Sequence, residues 1–272
     1  MMRPKVRRGT GTRVATIVAA TFSASNFAAE EPAELAHLVQ NPIAKVISLP
    51  FQNNLNFGAG PRNGEQDVLN IQPVLPIGMG SHWNLIARAI IPVIHEPPLG
   101  PGTQSTTGLG DISLAMYLSP AQPGRIIWGI GPAFTFATAS HEELGGGKLD
   151  AGLSAVALTI RGHWLLGVLA TDIASVAGDS SRRNVHQMLV QPFINYNLPD
   201  GWYLTSSPLV TANWKAPGSQ QWTVPVGGGG GRAFRVGKQA MNVQMQAFGN
   251  VVRPRQEGDW TLRMQFQLLF PK

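Results

Sequence analysis

The sequence predicts an all-β fold, a transmembrane, antiparallel, up-and-down β-barrel of about twelve strands. Three observations predict it. The chain closes on Leu262, Met264, Phe266, Leu268 and Phe270, with Arg263, Gln265 and Gln267 between them. A period of two puts the apolar set on one strand face and the polar set on the other. In a barrel the first face meets lipid, the second a wet lumen. Charged residues are only 13% of the chain, about half the usual share, yet no run of about 18 apolar residues occurs. Alternating strands that face lipid on one side produce that combination.

Taken in order, residues 1–29 read as a secretory signal. Arg3, Lys5, Arg7, Arg8 and Arg13 precede the short apolar stretch 14–22, and small residues follow up to Ala28 and Ala29. Processing alters the charge. The chain carries 21 basic and 15 acidic residues; with the five basic residues of the signal removed, 16 remain against 15. The basic excess therefore does not point to nucleic acid. Cysteine is absent, which excludes disulfides, thiolate metal sites and a cysteine nucleophile. Residues 30–44 are expected to form a periplasmic leader, read equally as a flexible segment or as a short helix over 30–40 with Leu35, Leu38 and Val39 on one side, ended by Asn41-Pro42.

The barrel is predicted over 45–272. Its strands lie near 46–57, 67–77, 83–94, 109–119, 125–139 and 150–161, then 163–174, 185–198, 202–213, 221–232, 239–252 and 259–270. The fourth alternates most cleanly, with Ile112, Leu114, Met116 and Leu118 opposite Asp111, Ser113, Ala115 and Tyr117. The seventh and ninth alternate least. Connections provide an independent check. Bacterial barrels place short turns in the periplasm and longer loops outside. The turns at 78–82, 120–124, 162, 199–201 and 236–238 are short, whereas 58–66, 95–108, 140–149 and 175–184 are long. Trp83, Trp128, Trp164 and Trp202 fall at the periplasmic ends of strands, and Trp214, Trp222 and Trp260 at the outer ends. Two rings of indole suit the two membrane interfaces.

On this alternation Arg88, Asp111, Arg161, Asp172 and Arg263 point inward, because a lipid-facing Arg or Lys near the midplane costs roughly 2–4 kcal/mol. They would either sort solutes by charge or plug a narrow barrel with salt bridges. Gln52, Asn54, Asn56, Asn70, Gln72, Gln187, Gln191, Asn195, Asn242, Gln244, Gln246, Gln265 and Gln267 would add an uncharged polar lining.

Several motifs are weighed and set aside. A barrel lipase needs a serine activated by a histidine, and no histidine has a serine two residues on. Glu142-Glu143 and Arg182-Arg183 read as solvated loop charges rather than a cation site or a lipopolysaccharide contact. Gly227–Gly231 is followed by no Lys-Ser/Thr, so it is not a phosphate loop. It reads as a thin strand where backbone approaches backbone. No catalytic, metal or cofactor site is expected.

Several segments together resemble the meta-pathway phenol-degradation family of outer-membrane barrels, whose members are often labelled transporter or neuromedin U. The stretches are 41–54 (NPIAKVISLPFQNN), 69–76 (LNIQPVLP), 83–94 (WNLIARAIIPVI), 108–111 (GLGD), 127–132 (IWGIGP), 176–179 (VAGD), 221–225 (QWTVP) and 268–272 (LLFPK). The resemblance implies a single barrel with a role in solute passage, the family name hinting at aromatic or hydrophobic compounds. It carries no catalytic motif. The run of five glycines is not a feature associated with the family. The expected function is thus passive uptake of small solutes through the outer membrane of a Gram-negative bacterium. The alternative is a narrow plugged barrel with a structural or surface role. Expected partners are outer-membrane lipid and lipopolysaccharide, the barrel-assembly machinery, which is thought to read Phe270, and the solute.

Overall fold

The computed structural model describes residues 32–100 and 102–270; the expected signal segment lies outside them. After helix α1 (Pro32–Gln40) come β1 (Ile47–Ala59), β2 (Gly64–Ile71 and Val74–Met79), β3 (Trp83–Glu96), β4 (Thr106–Leu109 and Ile112–Pro120), β5 (Ile127–Phe136) and β6 (Lys148–Arg161). The second half comprises β7 (Trp164–Gly178), β8 (His186–Asn197), β9 (Trp202–Ser206 and Val210–Asn213), β10 (Trp222–Val236), β11 (Gln239–Val252) and β12 (Trp260–Phe270). Fifteen segments thus make twelve barrel strands, three of them interrupted once. Every strand pairs antiparallel with its sequence neighbours, and β1 pairs with β12 from Ile47↔Phe270 to Phe57↔Trp260, which closes the sheet. Closure satisfies backbone groups that lipid cannot.

The alternation read from the sequence decides the faces. Asn54 pairs with Arg263 and Gln52 with Gln265, all inward; Phe266, Met264 and Leu262 point outward. Leu153, Leu204, Val226 and Met245 are each more than half exposed on the outside, as a lipid-facing surface requires. On one end the chain turns at 80–82, 121–126, 162–163, 198–201 and 237–238; on the other, longer loops run over 97–105, 137–147, 179–185, 214–221 and 253–259. The loop expected over 58–66 is instead a tight hairpin at 60–63. Gly60 and Asn63 supply its positive φ angles of 70° and 51°, and the strands extend to meet it.

The tryptophans stand on the outer surface in two rings. At the end with the short turns Trp83 and Trp128 meet edge to face at 6.2 Å, Trp164 lies against Tyr196, and Arg232 sits over Trp202. At the outer rim Trp214 meets Trp222 at 5.4 Å, and Trp260 stacks on Phe57 at 4.1 Å.

The seventh strand, one of the two that alternate poorly, is continuous in the sheet. The ninth is the broken one. Its first piece pairs with Ile194–Asn197 of β8 and with 229–232 of β10; its second pairs with 187–190 and with 222–223. Residues 207–209 between the pieces pair with neither. Pro208 has no N–H to offer, nor does Pro192 facing it on β8 or Pro225 on β10. Side chains from inside the barrel take over instead. Gln246 Oε1 accepts the Ser207 N–H at 3.0 Å, and Arg263 Nη1 donates to the Ser207 carbonyl at 2.8 Å.

The glycine run faces this network. Gly227, Gly229 and Gly231 point inward on β10, where Gly231 lies against the buried Tyr203. A Cβ at Gly231 would fall 2.4 Å from the Tyr203 hydroxyl, and one at Gly229 1.9 Å from the Met245 carbonyl. Backbone does approach backbone here, and only glycine fits.

Candidate solute chamber

The interior is built in two storeys. In the lower storey, at the end with the short turns, the segment that precedes β1 enters the barrel. Leu35, Ala36 and Val39 of α1 pack with Ala44 and Val46 on the inward-facing Ala233, Ala240 and Leu269. Gln40 donates to Asn197 Oδ1 at 2.7 Å, and His37 Nδ1 meets the Asn197 amide at 3.3 Å. Burial pulls the His37 imidazole below its usual pKa, Glu34 opposes this, and His163 adds to it. Just beyond, Ile43 completes a cluster with Val74, Ile86, Tyr117, Val156, Leu158, Leu165, Leu169 and Phe193. An apolar core therefore occupies this side of the lower lumen, with the Tyr117 hydroxyl satisfied by Ser154 at 2.8 Å.

Above it lies a chamber of about 670 Å³. Ile90, Ala115, Leu169, Ile173, Leu189 and Leu209 line it together with Gln52, Asn70, Gln72, Gln187, Gln191 and Asn213. Gln220, Gln221, Pro254 and Glu257 from the outer loops bound it above. Below, a small cavity of about 120 Å³ reaches Val39, Gln40, Asn41 and Pro42 of the leader. A third cavity of about 390 Å³ lies toward the outer mouth, bordered by Asn54, Glu96, Phe248, Glu257 and Arg263.

The residues singled out in the sequence divide among these places. Arg88 borders the chamber, its Nη2 donating to Gln72 Oε1 at 2.6 Å. Gln265 borders the small lower cavity beside Gln52 and Gln267. Arg263 is 4% exposed. It donates to Asn54 Oδ1 at 2.9 Å and lies over Phe248 at 4.9 Å, and it has no carboxylate partner among the described residues. It braces the wall as much as it lines the lumen.

Three residues expected inside are placed elsewhere. Asp111 sits in the break of β4 and borders none of the three cavities. Its Oδ1 accepts the N–H groups of Thr138 and Ala139 at 3.0 Å each, and its Oδ2 that of Gly146 at 2.6 Å. A carboxylate beside several free N–H groups is better satisfied there than in the lumen. Arg161 shares the parity of Leu153, Ala155 and Ala157, hence the outward face, and lies exposed at the turn at 162–163, where the guanidinium leaves the apolar zone. Asp172 also faces outward, on the parity of Val168 and Ala170. It bonds His186 Nε2 at 3.1 Å and Trp214 Nε1 at 3.2 Å at the outer rim.

Sequence reasoning missed Glu96 and Glu257. Glu96 ends β3 beyond the predicted boundary, and its carboxylate accepts from Gln66 at 2.6 Å. Glu257 lies in a loop whose inward course has no local signature. The leader's place inside the barrel was equally hidden, although the helix itself was legible.

No protein-family model matches the chain, and no curated relative does. Its fold is similar to that of an outer membrane channel from Pseudomonas putida F1, at a TM-score of 0.61 and 14% identity over 83% of this chain and 94% of that one. At that identity the likeness concerns fold alone. Looser likenesses extend to a porin (TM-score 0.40, 10% identity, 77% of this chain and 64% of that one) and to outer membrane phospholipase A from Escherichia coli (0.45, 11%, 90% and 99%). They carry no argument about activity. The chain's own His141 and Ser140 do meet at 3.1 Å, but they are adjacent loop residues, and the Ser140 hydroxyl already accepts the Leu109 N–H.

Proposed function

We propose that the protein is an outer-membrane channel of a Gram-negative bacterium that passes small, largely apolar solutes passively, and that it belongs with the phenol-degradation barrels its segments resemble. The observation that carries this reading is the chamber of about 670 Å³, part apolar and part amide-lined, inside a closed barrel with an apolar, tryptophan-ringed exterior. Its volume falls in the range of small-molecule sites. Amide walls wet the path without fixing a charge, and the apolar wall gives a hydrophobic solute somewhere to rest. The reading requires outer-membrane lipid, lipopolysaccharide and the assembly machinery as partners, and removal of the signal segment.

A second reading rests on the leader. Because α1 and Ile43 fill the periplasmic storey, the barrel could be a sealed structural element. Conductance of the purified chain in a planar bilayer separates the two. Discrete current steps are the expected result; a silent bilayer containing folded barrel would overturn the channel and leave the plug.

A further inference from the structure

The chamber's two formal charges lie apart in kind and place. Among the residues lining it, only Arg88 and Glu257 are ionisable at neutral pH. Glu257 belongs to the outer loop that bounds the chamber above, whereas Arg88 also borders the small cavity that reaches the leader. Arg88 is thus the one positive charge among the residues lining the chamber, on the side nearer the leader.

Arg88 is also under-used. A guanidinium presents five N–H donors in a planar fork. Here one hydrogen bond goes to the buried Gln72, and no carboxylate partners Arg88 among the described residues. Arg182 in the outer loops is by contrast consumed, bonding the Glu142 and Gly145 carbonyls. The Arg88 side chain makes no other hydrogen bond among the described residues and borders a chamber that also presents Ile90, Leu169, Ile173 and Leu189.

A fork of that kind matches a carboxylate, and the apolar wall beside it matches a compact hydrocarbon body. We propose that the chamber binds small amphipathic monocarboxylates, aromatic or branched aliphatic, with the carboxylate on Arg88 and the apolar body against Ile90, Leu169 and Leu189. The inference rests on the channel reading and adds the solute's class and orientation to it. The acid head points away from Glu257, toward the periplasm. A neutral isostere fills the same volume but leaves the guanidinium without its partner, and a site built for a charged hydrogen bond discriminates against the analogue lacking it.

Benzoate and benzamide provide the test, being alike in size and differing in charge. With the purified full chain in a planar bilayer under potassium chloride, benzoate is expected to reduce the current in a saturable way. Benzamide should need about ten- to a hundredfold more for the same effect, as loss of a charge-assisted bond implies. Arg88→Gln should abolish the difference and Arg88→Lys should keep part of it. Equal action of both compounds on the native chain, or unchanged benzoate action on Arg88→Gln, overturns the proposal while leaving the channel intact. That comparison on the native chain decides the matter even if a variant fails to assemble. Should the bilayer stay silent in chloride, the channel reading has failed. Calorimetry of the two compounds on the detergent-solubilised chain then decides the Arg88 site by the same criterion.

Discussion

Replacing Asp111 by Asn tests what holds the outer loops. Its carboxylate receives three backbone N–H groups, two on Oδ1 and one on Oδ2. An asparagine keeps one acceptor oxygen and brings an NH₂ that cannot accept. The cheaper flip leaves Thr138 and Ala139 bonded and sets the new NH₂ against the Gly146 N–H. A hydrogen bond to a charged group contributes about 1.5–3 kcal/mol net. The site is partly exposed, so the lower figure applies, and about 1.5 kcal/mol corresponds to roughly tenfold more of the opened form. Asp111→Ala removes all three bonds and should raise opening by at least a further factor of about ten. The assay is amide hydrogen exchange of the folded barrel in micelles, read at Thr138, Ala139 and Gly146. Exchange at the β1–β12 seam should stay unchanged, because the loop opens locally. Ion selectivity of Asp111→Asn should also stay unchanged, since the carboxylate borders none of the three cavities. A shifted reversal potential with native loop protection would refute this placement and return Asp111 to the permeation path.

Other substitutions follow from the same geometry. Gly231→Val should cost about 1–3 kcal/mol through overpacking, seen as lowered thermal stability of the heat-modifiable barrel on gels, because Tyr203 is pinned by its bond to Asn242. Gly249→Ala, on the outward face of β11 with no atom within 4 Å of the added Cβ, should be close to neutral; equal damage from both would discount the packing argument. Phe270 exchanged for a polar residue should impair assembly far more than an exchange at Gln267, since Phe270 meets the periplasmic interface and Gln267 the lumen; equal yields of folded barrel would count against it. His37 supplies a pH dependence. Its folded pKa lies below 6.5, so below that pH the undocked leader binds more protons than the docked one. Docking should therefore weaken as pH falls from 6.5 through the lowered value, measured as rising exchange in α1. The dependence should vanish in His37→Gln, and a flat profile in the native chain would contradict it.

Much of this architecture is legible in the residues, because lipid outside and water inside impose a strict period of two. β12 and the second piece of β4 show it without ambiguity, and their lumen faces carry Arg263, Gln265 and Tyr117 as the alternation requires. The parity argument fails where strands bend or end. Asp111 stands in a β-break, and Arg161 at a turn, where outward charge costs little. Asp172 stands at the outer rim, where Trp214 and His186 give it hydrogen bonds that a charge-only argument ignores. The break in β9 left a trace, the poor alternation and Ser206-Ser207-Pro208. The folding of α1 into the lumen left none, since its apolar side would suit a partner outside the barrel equally well.

That break has a mechanical meaning. A closed barrel behaves as a hoop, and a hoop under tension gives way at its weakest stave. The seam between β1 and β12 is stitched over eleven consecutive residue pairs; β4 and β5 share only five, but at their gap each stays paired on its other side, whereas β9 is open at 207–209 toward β8 and β10 at once. The seam formed last in the chain is thus not where this hoop is weakest. Heat or pulling should tear it at the ninth strand, leaving β10 to β12 attached to β1. Exchange that starts instead at Ile47–Phe57 would show that Arg263 and Gln246, reaching across from within, have riveted the broken stave more firmly than its own backbone could.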